Sequence, residues 1–260
     1  MDLSNIFADV MQLPIPAEEA LPEINTHEFV KVVESRRSVR FFSNAEIPDS
    51  VMNKCLDLAL LAPSSSNFCP WEFYWVKTPE KRKQLNYCCM NSPIATGAAE
   101  LVVCVVRTEV WRRNRSAMLE ILKKSEFAWP RFIGFYYEKL TWMTYIRGYL
   151  NIIGTLKSLL LRFLRLFSPQ ALPPCSRNDM RLWATKSGAL AAENFMLALR
   201  AFGYDSCALE SFDQKRTRQL LQLPADAFVI MVIAAGKRSP RDQLLGPRVR
   251  FERAWHVKQV

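Results

Sequence analysis

Two long apolar runs constrain the fold more than any other feature of this sequence. Residues 101–107 read LVVCVVR, and residues 227–235 read AFVIMVIAA. Neither run alternates apolar with polar side chains, which is typical of β-strands that are covered on both faces. Segments with helical spacing of apolar residues lie between the strand-like runs. We therefore expect an α+β protein with a central mixed β-sheet flanked by helices.

Local signals add further elements around these two strands. Val51, Cys55, Leu58 and Ala62 recur with helical spacing, and Pro63 ends that segment. Aromatic and β-branched residues favour other strands, and Gly203 is suited to the end of a long Ala- and Leu-rich helix. The sequence predicts further strands at 71–77 and 205–209, and helices from Asn25 or Thr26 to about 35 and at 49–62, 79–90, 184–202 and 214–221.

A short basic stretch follows the first predicted helix. Residues 35–42 read SRRSVRFF and bring three guanidinium groups and two hydroxyls close together. A guanidinium suits phosphate oxygens because it donates two parallel hydrogen bonds and keeps its charge. Taken alone, the stretch is typical of the solvated basic end of a helix.

Short motifs in two later regions of the chain favour a functional interpretation of this stretch. RRSVRF at 36–41 is followed by IP at 47–48 and by APSSSNFCPW at 62–71. Near the end of the chain come ESFD at 210–213, GK at 236–237 and PRVR at 247–250. The order and spacing resemble the FMN-dependent nitroreductase family, over about residues 27–110 and 183–252.

The resemblance implies a domain organisation. It predicts a single nitroreductase-like domain over 25–260. Residues 1–24 contain prolines with acids between them, and we expect an N-terminal arm there, either a disordered leader or a strap over a second subunit. The similarity stops between about 111 and 182, and that stretch is apolar and basic. We therefore expect a helical insertion there.

The resemblance also implies an FMN site at the interface of a homodimer. Arg36, Ser38, Arg248 and Arg250 match the residues that hold the phosphate. Several charge-assisted hydrogen bonds to one doubly charged anion make this assignment physically sound. Arg37 matches the neighbouring motif position, where the backbone is expected to contribute most.

Other matched positions would lie near the flavin ring. Arg40 resembles a basic residue beside the pyrimidine edge, where a cation stabilises the negative charge that reduction produces. Leu209 and Glu210 match the segment whose backbone N–H meets flavin N5. Ser211 stands where the family has glycine, so the path of this loop is an open question.

The APSSSNFCPW motif supplies the third set of candidates. Ser64, Ser65 and Asn67 match residues that reach the flavin from the other subunit. Serine, asparagine and proline are also ordinary turn residues, so a purely structural turn is the alternative. Cys69 replaces the family's glutamine, and we expect it to pack and not to take part in redox chemistry.

No side chain stands out as an acid–base catalyst, which fits a family in which FMN carries the chemistry. The resemblance implies ping-pong hydride transfer from NAD(P)H through FMN to a nitroaromatic or quinone. One alternative is an FMN-dependent dehydrogenase or desaturase acting on a hydrophobic or carrier-bound intermediate. Another is a non-catalytic, membrane-associated relative. The motifs GxGxxG, GxxxxGK[ST], GxSxG and HExxH are absent from the sequence.

The charge of the chain is concentrated in the predicted insertion. The formal net charge is +10, and residues 123–181 contain ten Lys or Arg against three acids. Residues 130–168 combine this charge with many apolar side chains. They would form either an interfacial helix on anionic lipid or helices that cap the active site or pack on a second subunit. Groove-reading motifs are absent from the sequence, so we expect no nucleic-acid partner.

Cysteine usage indicates the compartment. The seven cysteines are odd in number, irregularly spaced and without a CxxC pair. Residues 1–12 lack the basic and apolar regions of a secretory signal. We therefore expect free thiols in the cytoplasm, with contact to the inner face of the membrane if the lipid hypothesis holds. With two histidines in the chain, the sequence offers no plausible zinc site.

Overall fold

The computed structural model describes residues 22–241 and 246–260. The predicted N-terminal arm therefore lies outside the described residues except for 22–24, which are exposed and have no regular secondary structure. Within those two ranges, no helix combines the length and the apolar character needed to cross a bilayer.

The predicted strands and helices are confirmed, with ends that shift by a few residues. The strands are β1 (Trp71–Trp75), β2 (Glu100–Arg107), β3 (Asp205–Leu209) and β4 (Ala227–Gly236). The helices are α1 (Thr26–Ser35), α2 (Asp49–Leu60), α3 (Pro79–Cys88), α4 (Pro93–Thr96), α5 (Trp111–Lys124), α6 (Arg131–Phe135), α7 (Thr141–Tyr145), α8 (Ile152–Leu164), α9 (Arg177–Ala201), α10 (Gln214–Leu220) and α11 (Arg253–His256). A π-helical turn (Tyr136–Leu140) and 3₁₀ turns (Ser65–Asn67 and Tyr149–Asn151) complete the described elements.

The sheet has the strand order β1-β2-β4-β3, with the two apolar strands at its centre. The α+β class is confirmed, but the expectation of mixed strand directions needs correction. All three strand pairs in the described part of the chain are antiparallel, and parallel pairing occurs as an isolated bridge between Ser38 and Ser206. A continuous apolar run indicates that both faces of a strand are covered, but it does not indicate the direction of the neighbouring strands.

Each face of the sheet has its own core. Leu101, Val103 and Val105 pack with side chains of α3 on one face. Val102 and Cys104, which point the other way, pack with side chains of α2 and α9. Because successive strand residues point to opposite faces, one unbroken apolar run fills both cores.

Helix α9 begins seven residues before its predicted start because its N-terminus is strongly capped. The Ser176 Oγ accepts a hydrogen bond from the Asp179 N–H at 3.1 Å. The Asp179 carboxylate in turn accepts from the Ser176 N–H at 2.8 Å, which completes a capping box. The helix ends before Gly203, whose φ of +82° confirms the predicted glycine cap.

A third core joins the helices of residues 111–145 to the end of the sheet. Phe68, Trp111, Tyr145 and Trp183 are buried together there, against Val106 of β2. Helix α8 lies outside this core, and its described residues include a single buried one, Gly154.

Candidate functional site

The basic stretch after α1 lies along the outer edge of the sheet. The Val39 N–H donates to the Ser206 carbonyl at 3.1 Å, and the Val39 side chain is completely buried. Phe42 forms a second bridge, to Arg238. A Cβ at Gly236 would lie 2.8–2.9 Å from the Phe42 ring, so glycine permits this close packing. The apolar members of the stretch thus anchor it to β3 and β4.

The arginines of this stretch meet those near the C-terminus around a pocket of about 280 Å³. We call it the arginine pocket. Five guanidinium-bearing residues and one hydroxyl surround it, together with two apolar residues. Its lining is Arg36, Arg37, Ser38, Arg40, Pro247, Arg248, Val249 and Arg250.

Backbone carbonyl groups hold the two segments together. The Arg37 Nη2 donates to the Gly246 carbonyl at 2.8 Å, and the Arg248 Nη2 donates to the Arg36 carbonyl. The side chain of Arg37 therefore has a structural task that its sequence position did not indicate. Gly246 has φ of +90°, a left-handed conformation that favours glycine.

Sequence reasoning did not identify one acidic neighbour of this pocket. The Arg36 Nε lies 3.3 Å from the Glu193 carboxylate on α9. Glu193 is the one acid between positions 180 and 204. An isolated acid in an Ala- and Leu-rich helix could have indicated that it pairs with a basic residue. The pair orients Arg36, but the five guanidinium groups leave the pocket strongly suited to an anion.

Leu209 and Glu210 continue from the strand to which the basic stretch is bridged. Leu209 is buried at the end of β3, whereas Glu210 and Ser211 are exposed and follow it without regular structure. The parallel bridge at Ser38 means that the chain runs from Ser38 to Arg40 in the same direction as β3 runs towards Leu209. Neither Leu209 nor Glu210 lines the arginine pocket.

Ser64, Ser65 and Asn67 form a compact turn that does not line the arginine pocket. The Ser64 Oγ accepts from the Cys69 N–H at 2.9 Å and closes the turn. Ser66, Asn67 and Cys69 all have positive φ, between 40° and 59°. Non-glycine residues in this conformation are strained, and such strain concentrates at functional sites.

Two tyrosines that the sequence did not single out hold this turn. The Ser65 Oγ lies 3.2 Å from the Tyr145 hydroxyl, and the Ser66 Oγ lies 2.7 Å from the Tyr136 hydroxyl. Burial raises the pKa of Tyr145, so its hydroxyl remains protonated at neutral pH. The serine cluster is thus fixed by the aromatic residues that follow α6.

A larger cavity of about 940 Å³ opens beside the turn, between α7, α8 and the start of α9. Ser65 and Tyr145 line its inner end, and Trp183 and several leucines provide apolar walls. Lys157 donates to the carbonyls of Met143 and Thr144 at 3.0 and 2.9 Å, and burial lowers its pKa. Arg162, Arg165 and Lys186 also line the cavity, so it suits a molecule that has both an apolar and an acidic part.

The fold and the arginine pocket define an α+β protein that gathers basic residues from distant parts of its chain around one pocket. The chain belongs to the Nitroreductase family, whose family model matches residues 33–237. The resemblance seen in the sequence motifs is thereby confirmed.

Individual relatives are distant in sequence and similar in fold. A Bacillus subtilis protein named as an NAD(P)H nitroreductase, YdgI, is 25% identical over 216 residues, which cover 82% of this chain and 90% of the relative. The crystal structure of ydfN from Bacillus subtilis, named as a nitroreductase, has a TM-score of 0.71 and 18% identity, covering 91% and 100% of the two chains. A protein of Exiguobacterium sibiricum, named as a nitroreductase and solved in complex with FMN, has a TM-score of 0.64 and 16% identity, covering 92% and 99%.

Proposed function

We propose that this protein is an FMN-dependent oxidoreductase of nitroreductase type. It transfers hydride from NAD(P)H by way of FMN to an organic acceptor such as a nitroaromatic or a quinone. The convergence of Arg36, Arg37, Arg40, Arg248 and Arg250 on one pocket carries the proposal. Family membership and the names of the relatives that bind FMN or use NAD(P)H support it.

The donors present fit the phosphate end of FMN. Arg36, Ser38, Arg248 and Arg250 bind the phosphate oxygens through charge-assisted hydrogen bonds. Arg37 binds Gly246 and so holds the C-terminal segment in place. The fit rests on the chemistry of this donor set, because guanidinium and hydroxyl groups are good partners for a phosphate dianion.

The remaining candidates bind and polarise the flavin ring. When bound, FMN supplies the chemistry of accepting and donating hydride. Arg40, which lines the arginine pocket, would supply a cation that stabilises negative charge developing on the ring. The backbone of Leu209 and Glu210 offers an N–H to the ring at the end of β3.

A homodimer completes the site in this proposal. Ser64, Ser65 and Asn67 do not line the arginine pocket of their own chain and are available to the FMN of the other subunit. None of the ten residues Thr26–Ser35, all of which are described, is buried, and Phe29 is 59% exposed. A second copy that covers α1 would bury this apolar surface.

The 940 Å³ cavity is the proposed substrate site. Its walls come largely from residues 140–186, which overlap the predicted insertion at 111–182. We propose that this insertion is part of the single domain and selects the substrate. A cavity with leucine walls and several basic side chains also favours the alternative of a dehydrogenase or desaturase that acts on a hydrophobic or carrier-bound intermediate.

The cytoplasm is the proposed location. All seven cysteines are free thiols in the structure, and burial raises the pKa of Cys55 and Cys89 to about 11. Protonated, buried thiols resist oxidation and suit a reducing compartment.

We also propose a peripheral membrane contact within 130–168, made by α8. Ile152, Leu156, Leu159 and Phe163 are each more than half exposed. Arg162 and Arg165 are exposed and residues 152–168 contain no acid, so the helix has charge complementary to an anionic bilayer.

Spectroscopy of the purified protein tests the proposed activity. The proposal predicts the absorbance of oxidised flavin, its loss on anaerobic addition of NADPH or NADH, and its return with a nitroaromatic or quinone. Bound flavin that neither nicotinamide reduces would favour the dehydrogenase. A colourless protein that takes up no added FMN would overturn the FMN proposal and favour a non-catalytic relative.

A further inference from the structure

A second basic pocket lies where β2 ends and β4 begins, and the proposed function does not use it. Its volume is about 460 Å³. Four arginines and two carboxylates line it. They lie near the starts of helices α5, α8 and α9 and directly before β4. The charged residues of its lining are Glu109, Arg112, Arg147, Arg177, Arg181 and Asp226.

The carboxylates neutralise only part of the charge of these arginines. Asp226 is already bound by Arg107, which is outside the lining, with Nε–Oδ1 and Nη2–Oδ1 distances of 3.1 and 2.9 Å. Glu109 is shared between Arg112, at 3.4 Å, and Arg147. Within residues 22–241 and 246–260, Arg177 and Arg181 form no ion pair with an acid. Two guanidinium groups therefore face the pocket without a counter-ion.

The N-termini of two helices, α5 and α8, add to the positive potential, whereas the α9 N-terminus is satisfied by its capping box. Helices α5, α8 and α9 all begin at or next to lining residues. Among these described N-termini, those at Val110 and Asn151 have no side-chain cap. Unsatisfied N–H groups and the helix dipole both favour an anion at such positions.

The loop that enters α8 is built in an unusual conformation at the wall of this pocket. Leu150 and Asn151 have φ of +48° and +65°, and Gly148 has φ of +73°. Burial and the neighbouring Arg177 both lower the pKa of Arg147. A bound anion would relieve this crowding of like charges.

We propose that this pocket is a second anion site and that it binds a phosphate-bearing compound of diphosphate size. Guanidinium groups at Arg147, Arg177 and Arg181 surround a volume larger than one phosphate requires, and helix N-termini supply additional N–H donors. The rim carries Tyr149 and Leu150, which are 83% and 70% exposed. The same phosphate chemistry is offered by a soluble compound and by the headgroup of a phospholipid whose acyl chains contact the rim.

Calorimetric titration with inorganic pyrophosphate tests the site. The full chain is titrated with FMN in excess, so that any phosphate site in the arginine pocket is filled. We expect saturable binding that weakens at least tenfold in the double variant Arg177→Gln/Arg181→Gln. The control Arg113→Gln removes an exposed arginine of α5 that does not line the pocket, and it should bind as the unchanged protein does. Equal pyrophosphate affinity in the double variant, or no binding to the unchanged protein, overturns the proposal, whether or not FMN binds.

Co-sedimentation with vesicles distinguishes the two sources of phosphate. Vesicles of phosphatidylcholine with phosphatidic acid are compared with vesicles of phosphatidylcholine alone. Arginine-dependent binding of both pyrophosphate and phosphatidic acid supports a lipid headgroup. Arginine-dependent binding of pyrophosphate alone supports a soluble compound.

Discussion

The Arg248 guanidinium donates a hydrogen bond to the backbone carbonyl of Arg36, a residue 212 positions earlier in the chain. The Arg37 guanidinium makes the reciprocal contact, to the Gly246 carbonyl at 2.8 Å. Arg37 and Arg248 thus hold the two segments together while lining the pocket with Arg36, Arg40 and Arg250. A site arranged before its ligand arrives loses less conformational entropy on binding.

Removing Arg36 or Arg248 should weaken FMN binding. We expect Arg36→Ala and Arg248→Ala each to reduce the binding free energy by about 1.5–3 kcal/mol, the usual contribution of a hydrogen bond to a charged group. Quenching of flavin fluorescence during titration of the apoprotein measures this affinity.

Arg113→Ala is the matched control for these variants. It removes one positive charge from the exposed surface of α5, away from the arginine pocket, and should leave FMN affinity within a factor of two or so. An affinity in Arg36→Ala equal to that of the control would contradict the assignment.

The parts of the site that the sequence predicted are those carried by short motifs in order. Arg36, Ser38 and Arg248 could be placed together because three motifs matched one family in sequence. The role of Arg37 as a tie to Gly246 could not be predicted, because a guanidinium that binds a backbone carbonyl has no pattern in the sequence.

For the sheet, the sequence predicted which strands are buried but not the direction in which they run. The apolar run of β2 predicted burial on both faces, and both cores are present. The direction of a strand depends on partners that are remote in sequence. The prediction of a mixed sheet was therefore wrong, because the strand pairs are antiparallel. The role of residues 130–168 was the hardest to predict. Basic residues interspersed among apolar ones fit a membrane surface, a cavity wall and a subunit contact equally well.

Gly188 in α9 should tolerate no side chain. An added Cβ would collide with the Val106 side chain and lie 3.0 Å from the Ile230 Cδ1, between the helix and the sheet. Overpacking of this kind costs about 1–3 kcal/mol, which exceeds the gain of about 1 kcal/mol from replacing a helical glycine. We expect Gly188→Ala to lower the free energy of unfolding in urea.

Gly134 of α6 provides the control for that substitution. No heavy atom lies within 4 Å of the position that an added Cβ would take, so Gly134→Ala should be neutral or stabilising by up to about 1 kcal/mol. A stable Gly188→Ala protein would show that α9 can move away from the sheet.

Asp179 should make the stability of α9 depend on pH. Burial acts to raise its pKa, but hydrogen bonds from Ser176 and Cys175 outweigh burial and hold the pKa below its usual value. Because the folded pKa is depressed, the stabilisation is present above the unfolded pKa of about 3.9 and is lost as pH falls through the folded pKa.

Asp179→Asn should therefore cost about 0.5–2 kcal/mol at pH 7, the usual value of a helix N-terminal cap. The difference from the unchanged protein should shrink as the pH is lowered below about 4. Urea unfolding at several pH values measures both effects, and a difference that is constant down to pH 2 would exclude this role.

Tyr145→Phe should loosen the serine turn. The substitution removes the hydroxyl that meets Ser65 and Ser66 at 3.2 and 3.1 Å and should lower the free energy of unfolding by about 0.5–1.5 kcal/mol. If the turn contacts FMN, the same variant releases FMN faster on dilution. Tyr149→Phe changes a hydroxyl on a residue that is 83% exposed and should alter neither quantity.

Acidic residues on α8 should abolish binding to anionic vesicles. Leu156 and Phe163 are 61% and 58% exposed, and Leu156→Glu/Phe163→Glu replaces apolar contact with charge that the lipid surface repels. The control Asn53→Glu/Gln219→Glu adds the same two charges at exposed positions of α2 and α10 and should still co-sediment. If α8 packs instead against a second copy of the chain, the α8 variant changes the mass measured by light scattering and leaves vesicle binding as it was. That result would contradict the membrane proposal, because the apolar side chains of α8 cannot be buried in a subunit contact and in lipid together.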